Sequence, residues 1–438
     1  MDLLCRAYAN ASDDDEEEKD PHPIFPAKKR RLDGRSLHHV PFSQTNRQGF
    51  LSSGEPGQVP LVAGRYVSKR ERAIFSATSM PTDSLPPVIT PPGSSHLSNV
   101  GTLSDADLPS VLKSLLKNRG KSYAHGNNTS GNFSLTFKGH SKAINSIQWS
   151  YNHGHLLASA GMDHSVLVWN VWSKAQKKVC TFSHHKAAVT DVRWCSQGLC
   201  LLSCGYDCSS RLIDVEKGVE KQQFKEDQVV QSIKLHTTNS NLFLSGGSKG
   251  FLRLWDMRAK KAVHEYLKHL GPILDVEFSV DGKNFIASTD TSRSNISENT
   301  IIIWDVSRQI PLSNQVYAEA FTCPCIRYHP SDSCFVAQSN GNYIAIFSAK
   351  SPFRLDRYRR YESHGVWGFP IKCNFSLDGK EIVTGSSDGS IYFYDYTSSE
   401  LIRKIKAFEE PCVDVAFHPS VPNLVAACSW DGEISVFD

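Results

Sequence analysis

The sequence predicts an all-β protein: a seven-bladed β-propeller over residues 131–438, preceded by a largely disordered segment, residues 1–130. Two observations carry this. From Phe133 onward, short β-branched and aromatic runs parted by Gly, Asp and Ser recur with a period of roughly 42–49 residues. Seven such runs end alike, in HSVLVWN, SSRLIDV, GFLRLWD, NTIIIWD, NYIAIFS, GSIYFYD and GEISVFD, with Trp169, Ile213, Trp255, Trp304, Phe347, Tyr394 and Phe437 in register. Each sheet must bury its faces on its neighbours, so seven units call for a closed ring.

Residues 1–130 come first in chain order. An acidic run, Asp13 to Glu18, precedes the basic cluster Lys28, Lys29, Arg30 and Arg31, and Pro- and Ser-rich text such as SLPPVITPPGSS follows. Such composition has too little apolar surface to offset the entropy of ordering the chain. The basic cluster has the character of a nuclear localisation signal, and nuclear residence is the expectation, with a cytoplasmic pool as the alternative. The amino-terminal text lacks the charged start and apolar run of a signal peptide, and no stretch reaches the roughly 18 apolar residues of a membrane span. An intracellular protein without membrane contact is expected. One element stands out near 107–119, where Leu108, Val111, Leu112, Leu115 and Leu116 place an apolar face on a short helix. A helix this short is marginal alone in water, so it should dock, by preference on the propeller's own flank.

Each repeat then reads as a strand, a second strand ending in a turn, and a third strand. The first strands run from AINSIQW through AVTDVRW and ILDVEFS to CVDVAFH. The orphan strand FSLTFK, Phe133 to Lys138, precedes the first repeat, and the last repeat stops at Asp438 after its third strand. Pairing these two would close the ring and remove an exposed edge.

Four positions in the repeats form a pattern: a His before the first strand, Ser or Thr in the second, Asp in the following turn, and Trp in the third. The first repeat has His140, Ser159, Asp163 and Trp169. The second keeps His185, Ser203 and Asp207, with Ile213 for Trp; the sixth keeps His364, Thr384 and Asp388, with Tyr394 for Trp; the fourth has His269, Ser288 and Trp304, with Glu298 near the Asp place. The third, fifth and seventh lack the His, and Lys249 and Gly341 replace Asp in the third and fifth. In these residues the chain resembles the WD-repeat family. The resemblance implies a hydrogen-bonded chain from loop to strands in each complete repeat, structural in role. A hydrolase triad of His140, Ser159 and Asp163 would need an exposed nucleophile on a strained elbow, and the chain contains no GxSxG.

Composition narrows the function classes. With 48 Lys and Arg against 45 Asp and Glu, a net charge of +3 gives no field that implies nucleic acid. The twelve cysteines are scattered; Cys200, Cys204 and Cys208 lack the paired spacing of a zinc site. No GxxxxGK[ST], HExxH or calcium loop occurs, so no metal, no cofactor and no enzyme activity are expected.

Function is then sought on surfaces. Tyr206 and Trp430, each just before a turn Asp, and the insertion from Thr289 to Asn299 should share the top face, where aromatic side chains anchor partners. The run from Phe353 to Phe369 interleaves Arg354, Arg357, Arg359 and Arg360 with Tyr358, Tyr361 and Trp367. It is read as the outer strand of the fifth blade, its charges guarding an edge, with RNA contact through Arg357, Arg359 and Arg360 as the lesser alternative.

KGHSKAINSIQW, YLKHLGPILDV, QSNGNYIAIFSAKSPFRL and CSWDGEISVFD further resemble the propeller of the pre-mRNA-processing factor seventeen group. This resemblance implies a non-catalytic scaffold in or near the second-step machinery of the spliceosome, with proteins of a large nuclear complex as partners. A competing reading is a substrate receptor of a cullin-type ubiquitin ligase, suggested by the WDxR box Trp255, Asp256 and Arg258.

Overall fold

The computed structural model describes residues 103–105, 108, 110, 113–114, 134–196, 199–266, 271–290, 301–315 and 322–438. The basic cluster Lys28 to Arg31, the acidic run, most of the expected helix, His269, Glu298 and the insertion beyond Asp290 lie outside the described residues. Within them, 28 strands form seven four-stranded antiparallel sheets. In blades 1 to 6 the strands follow one another from the inner edge outward.

Burial follows the layering. The inner strand Val189–Trp194 and the third strand Val166–Asn170 are buried throughout, because both of their faces meet neighbouring sheets. Outer strands such as Lys261–Tyr266 and Leu401–Lys406 carry alternating or continuous exposure, and their sequences are correspondingly charged. The core is a set of apolar clusters lying between blades. One joins Trp149, Trp169, Val171 and Ile147 of blade 1 to Val413, Ala426 and Val436 of blade 7. Each large apolar side chain buried there contributes roughly 1.5–3 kcal/mol.

Closure occurs where the orphan strand predicts it. Ser134–Lys138 pairs antiparallel with Glu433–Phe437, from Ser134 opposite Phe437 to Lys138 opposite Glu433. Blade 7 therefore takes its outer strand from the start of the domain and its other three from the end. Phe137 also stacks on Trp169 of blade 1 at 5.7 Å, so the closing strand reaches beyond its own sheet.

The inner strands share a device that the repeat pattern does not announce. In blades 1, 2, 3, 4 and 7 the register slips by one residue, at Asn145, Thr190, Gln231, Leu274 and Val413. Such a bulge twists the strand and re-aims the next side chain. That side chain is Ser146, Asp191, Ser232, Asp275 or Asp414, and each points across a blade boundary. Ser146 Oγ donates to Asp191 at 2.8 Å and Ser232 Oγ to Asp275 at 2.8 Å. The amides of Ile233, Ile326 and Ile147 donate to Asp191, Asp275 and Asp414 at 3.3, 3.1 and 3.1 Å. Arg193 pairs with Asp191, Arg327 with Asp275, and Lys372 with Asp414. Burial works against the Asp275 carboxylate, but Arg327 and Lys234 outweigh it and hold its pKa well below the usual carboxylate range. Blades 5 and 6 have no bulge here; by register Cys325 takes this place in blade 5, whereas in blade 6 it falls to Lys372, and Cys373 is one step along, opposite Thr384 as Ile147 is opposite Ser159.

The segment before the propeller is anchored where it is described. His155 Nε2 donates to the Leu103 carbonyl at 2.9 Å, and Asn170 Nδ2 to the Ser104 carbonyl at 3.0 Å. Leu103 packs on the apolar cluster shared by blades 1 and 2, and Leu108 is buried. The chain thus meets the end of blade 1 opposite its His140 turn. Among the described residues no helix is long and apolar enough to cross a membrane.

Candidate interaction surface

In blade 1 the four pattern residues touch in sequence. Trp169 Nε1 donates to Ser159 Oγ at 2.9 Å; Ser159 Oγ lies 2.7 Å from His140 Nε2; His140 Nδ1 lies 3.0 Å from Asp163. Because the Asp163 carboxylate can only accept, His140 Nδ1 carries the proton that donates to it, which leaves Nε2 to accept from the Ser159 hydroxyl, itself the acceptor for the indole. Asp163 also accepts from the Ser141 amide and the Ser165 hydroxyl. Burial pushes its pKa up, but the hydrogen bonds from His140 and Ser165 outweigh that and hold it well below the usual carboxylate range. Every proton is committed and the serine is fully buried, so the arrangement stitches loop to strands and offers nothing to a substrate.

Blade 2 repeats the stitch, with His185 3.0 Å from Asp207 and 2.8 Å from Ser203, and Ile213 fills the Trp place with apolar volume. Arg211 adds a buried ion pair to Asp207.

Blade 6 departs from the expected set. His364 bonds neither Thr384 nor Asp388. Its Nε2 meets the side-chain amide of Gln338 from blade 5 at 2.6 Å, and its Nδ1 meets the Tyr394 hydroxyl at 3.0 Å. The reason is Tyr394, whose hydroxyl takes the nitrogen that Asp would hold, while Gln338 bridges His364 and Thr384. Asp388 instead accepts from Tyr392 and Lys404 at its own edge. Burial pushes the His364 pKa down to about 4, partly opposed by the charge of Asp388.

Blade 4 requires a second correction. Ser288 lies opposite Ile301, whereas Ser159 in blade 1 lies opposite Leu167, so the equivalent of Ser159 is Ala287. Trp304 Nε1 accordingly has no hydrogen-bond partner among the described residues. Ser288 donates to the Asp275 carbonyl and accepts from the Asp275 amide.

Blade 3 shows what sequence reading missed. Gln228 stands in the His place and clamps the turn alone, its Oε1 accepting from the amides of Lys249 and Phe251 and its Nε2 donating to the Phe251 carbonyl. Trp255 Nε1 still donates to Ser245 at 3.0 Å. Little in the sequence signals this, because Gln228 lies two residues before its inner strand, which starts at Val230, whereas His140 and His185 lie four before theirs, at Ile144 and Val189.

At the top face, Tyr206 and Trp430 are both half-buried rather than projecting. Trp430 lies edge-on against Phe369, with ring centroids 5.4 Å apart, over Val366 and Ile371. Trp367 is the side chain that projects, at 70% exposure. It does not belong to the outer strand of blade 5, which spans Leu355–Tyr361, but to the loop that follows. Its φ of +48° is a left-handed conformation that a bulky residue rarely adopts. Asn342 holds that loop, its side-chain oxygen accepting from the Val366 amide at 2.7 Å.

The basic run is not a continuous strip. Arg359 pairs with Asp356 and lies over the Tyr396 ring, and Arg360 lies over Tyr343. Arg357 is exposed beside Tyr358, which is 97% exposed on a kink in the strand. In the WDxR box, Trp255 is buried, and Arg258 turns back on Asp256 at 3.2 Å. Asp256 accepts from the amides of Arg258 and Ala259, the same turn that Asp305 makes with Arg308 and Asp395 with Thr397. Among the described residues no three His, Cys, Asp or Glu side chains converge as metal ligands.

Comparison with known proteins agrees with this geometry. The "WD domain, G-beta repeat" model matches residues 131–170, 176–214, 356–395 and 399–438. Each match runs from the outer strand of one blade through the three inner strands of the next, and the four supply those inner strands for blades 1, 2, 6 and 7 of a seven-bladed ring. The chain belongs to the WD-repeat family. Blades 3, 4 and 5, which that model does not match, include two whose pattern residues are replaced or shifted, as Gln228 and Ala287 show. Among WD-repeat relatives, mouse WD repeat-containing protein 25 is 36% identical over 302 residues, 68% of this chain and 56% of the relative. Human pre-mRNA-processing factor 17 is 29% identical over 306 residues, 69% of this chain and 51% of the relative. The U5 small nuclear ribonucleoprotein 40 kDa protein of Dictyostelium discoideum is 24% identical over 313 residues, 68% of this chain and 81% of the relative. The chain spans about half the length of the first two.

Proposed function

We propose that this WD-repeat protein is a non-catalytic scaffold of nuclear pre-mRNA-splicing assemblies, binding protein partners on the top face around Trp367, Trp430 and Tyr206. The observation that carries the surface is Trp367, a large apolar side chain held outward in a strained conformation by a loop pinned on either side through buried Val366 and Phe369 and through Asn342. Strain of this kind costs of order 1–3 kcal/mol and persists where function maintains it. Phe369 and Trp430 beside it extend an aromatic patch of the sort that anchors partners. The splicing assignment rests on two relatives, the pre-mRNA-processing factor 17 and the U5 small nuclear ribonucleoprotein 40 kDa protein. Nuclear residence follows from that role and from the basic cluster at Lys28 to Arg31.

The ligase-receptor alternative is weaker, because Arg258 completes an ordinary Asp-capped turn that Asp214, Asp305 and Asp395 make in three other blades. RNA contact is likewise reduced to Arg357 and Tyr358. Affinity purification from nuclear extract tests the proposal. Splicing proteins should be recovered with the wild-type chain and at least tenfold less with Trp367→Ala, while its melting temperature stays within about 2 °C, as expected for an exposed position. Recovery of a ligase adaptor instead, or undiminished splicing partners with Trp367→Ala, would overturn the role or the surface respectively.

A further inference from the structure

The inner-strand ring changes its chemistry once. Between the other blades the link at this level is a carboxylate accepting from a hydroxyl, an amide or a cation, as described above. Between blades 5 and 6 it is a pair of thiols: Cys325 Sγ lies 4.0 Å from Cys373 Sγ and 3.6 Å from the Cys373 carbonyl. Both side chains are buried, and both cysteines are free. They sit on inner strands of different blades, Cys325–Tyr328 and Cys373–Phe375, and are 48 positions apart in sequence.

We propose that Cys325 and Cys373 form a reversible disulfide site whose oxidant is a hydroperoxide such as hydrogen peroxide. The sulfurs need to approach by about 2 Å to reach a disulfide bond length, which small side-chain rotations on two unbulged strands supply. The oxidant can come within one residue of each sulfur. The cavity at the centre of the ring is lined by Pro324 and Lys372, the residues immediately before each cysteine. A molecule the size of peroxide fits where a protein thiol does not, so the partner sulfur must come from within.

The two thiols are not equivalent, and their difference sets the order of events. Burial works against a Cys325 thiolate, but the hydrogen bond from Cys373 and the Arg327 guanidinium outweigh it and hold its pKa below the ordinary thiol value. Cys373 is held well above that value by its hydrogen bond to Cys325 and by burial. Cys325 is therefore the attacking sulfur. Its electron pair forms an S–O bond as the peroxide O–O bond breaks; hydroxide leaves and takes a proton to become water. The Cys373 sulfur then attacks that sulfenic sulfur, the S–O bond breaks, and a second water leaves with the Cys373 proton. Two thiols and one peroxide give one disulfide and two waters, and a dithiol returns the disulfide to two thiols by exchange, becoming a disulfide itself.

The product would staple blade 5 to blade 6. Closing a loop of this length restricts the unfolded chain and should raise the apparent melting temperature by several degrees.

The test uses the full chain, reduced, desalted and exposed to hydrogen peroxide in native buffer. Remaining thiols are then blocked with N-ethylmaleimide in denaturant, and the protein is digested without reductant for mass spectrometry. The expected result is a cross-linked peptide joining Cys325 to Cys373, lost with dithiothreitol, and a melting temperature that rises and falls with it. In Cys373→Ala, peroxide should leave Cys325 as a sulfenic acid that dimedone traps. The proposal is overturned if both cysteines are recovered as N-ethylmaleimide adducts while Cys200 and Cys208 are oxidised. A cross-link formed only after unfolding in urea, or one joining Cys325 to Cys323 or Cys412, overturns it equally.

Discussion

Trp169 and Trp304 hold the same place in their blades and are satisfied differently. The first donates to Ser159; the second faces Ala287 and relies on apolar contact, stacked on Phe285 at 6.2 Å. The stitch therefore has a measurable worth where it is complete. Asp163→Ala removes the acceptor for His140, the Ser165 hydroxyl and the amides of Ser141 and Ser165, and should cost roughly 1–3 kcal/mol. Lys249→Ala, at the matching place of blade 3, should change stability by less than about 0.5 kcal/mol, since Gln228 clamps that turn and Lys249 is exposed beside Asp227. Urea melts of the two variants check this, and equal midpoint shifts would contradict it. Asp163 also predicts a pH effect of known sign. Its folded pKa is depressed, so its contribution is present above the ordinary carboxylate pKa near 4 and disappears as pH falls further. His364 acts in a higher window. Its folded pKa near 4 lies below the ordinary 6.5, so the unfolded chain takes up a proton first and stability declines as pH falls from 6.5 to 4. The group should account for roughly 2–3 kcal/mol over that window. His364→Gln should flatten this part of the stability profile by that amount in denaturant titrations at pH 7 and pH 4.5. At this scale the sequence was legible where residue types were kept, as in His140, His185 and their partners. It was misleading where a neighbour intruded: nothing in blade 6 alone reveals that Gln338 of blade 5 takes the His364 nitrogen.

At the scale of elements, the closing strand was readable because an edge strand without a partner and an incomplete last blade are two halves of one observation. The strand is expected to be indispensable. A chain beginning at residue 139 loses the partner of Glu433–Phe437 and the Phe137 contact with Trp169, exposing two apolar faces and an unpaired edge. It should aggregate or melt far below a chain beginning at residue 100, which keeps the closing strand and the Leu103 and Ser104 anchors; light scattering during a thermal ramp distinguishes them. The bulges were harder to read. The repeated Asp of AVTDVRW, ILDVEFS and CVDVAFH was visible, but a strictly alternating strand would send it to the face occupied by its neighbours. Only the slipped register shows that it reaches the next blade. The loop of Trp367 was misassigned for a similar reason. An Arg- and Tyr-rich run continues smoothly in sequence through Glu362, whereas the strand ends at Tyr361 and the chain turns onto the rim.

For the whole molecule, the buried ionic ring makes blades interdependent. Asp275 serves blades 3, 4 and 5 at once through Ser232, its own Val276 amide, Ile326 and Arg327. Asp275→Ala strands the Arg327 guanidinium in the interior with Glu277 alone at 3.5 Å, and removing one partner of a buried pair costs roughly 3–5 kcal/mol. Pairing that change with Arg327→Met should recover a large part of the loss, since the unpaired charge goes with it. A double-mutant cycle by denaturant unfolding measures the coupling, and a simple sum of the two single effects would show that the ring is not a unit.

Seven is an odd number, and a circle of donors and acceptors cannot alternate around an odd circumference. Blades 2, 4 and 7 each place an acceptor, Asp191, Asp275 or Asp414, between neighbours that donate to it. Blades 1 and 3 are donors on both sides. That leaves blades 5 and 6, each already donating outward, through Ile326 and Arg327 on one side and Lys372 on the other, with two donors meeting. A carboxylate at the Cys325 place would stand beside the acceptor Asp275, and one in place of Lys372 beside the acceptor Asp414, so the mismatch would only move one step along the circle. Thiols resolve the parity, because a sulfhydryl donates or accepts weakly and demands neither. That one seam exists is thus a consequence of arithmetic; where it falls is set by local sequence. A six- or eight-membered version of the same circle would have no place for it.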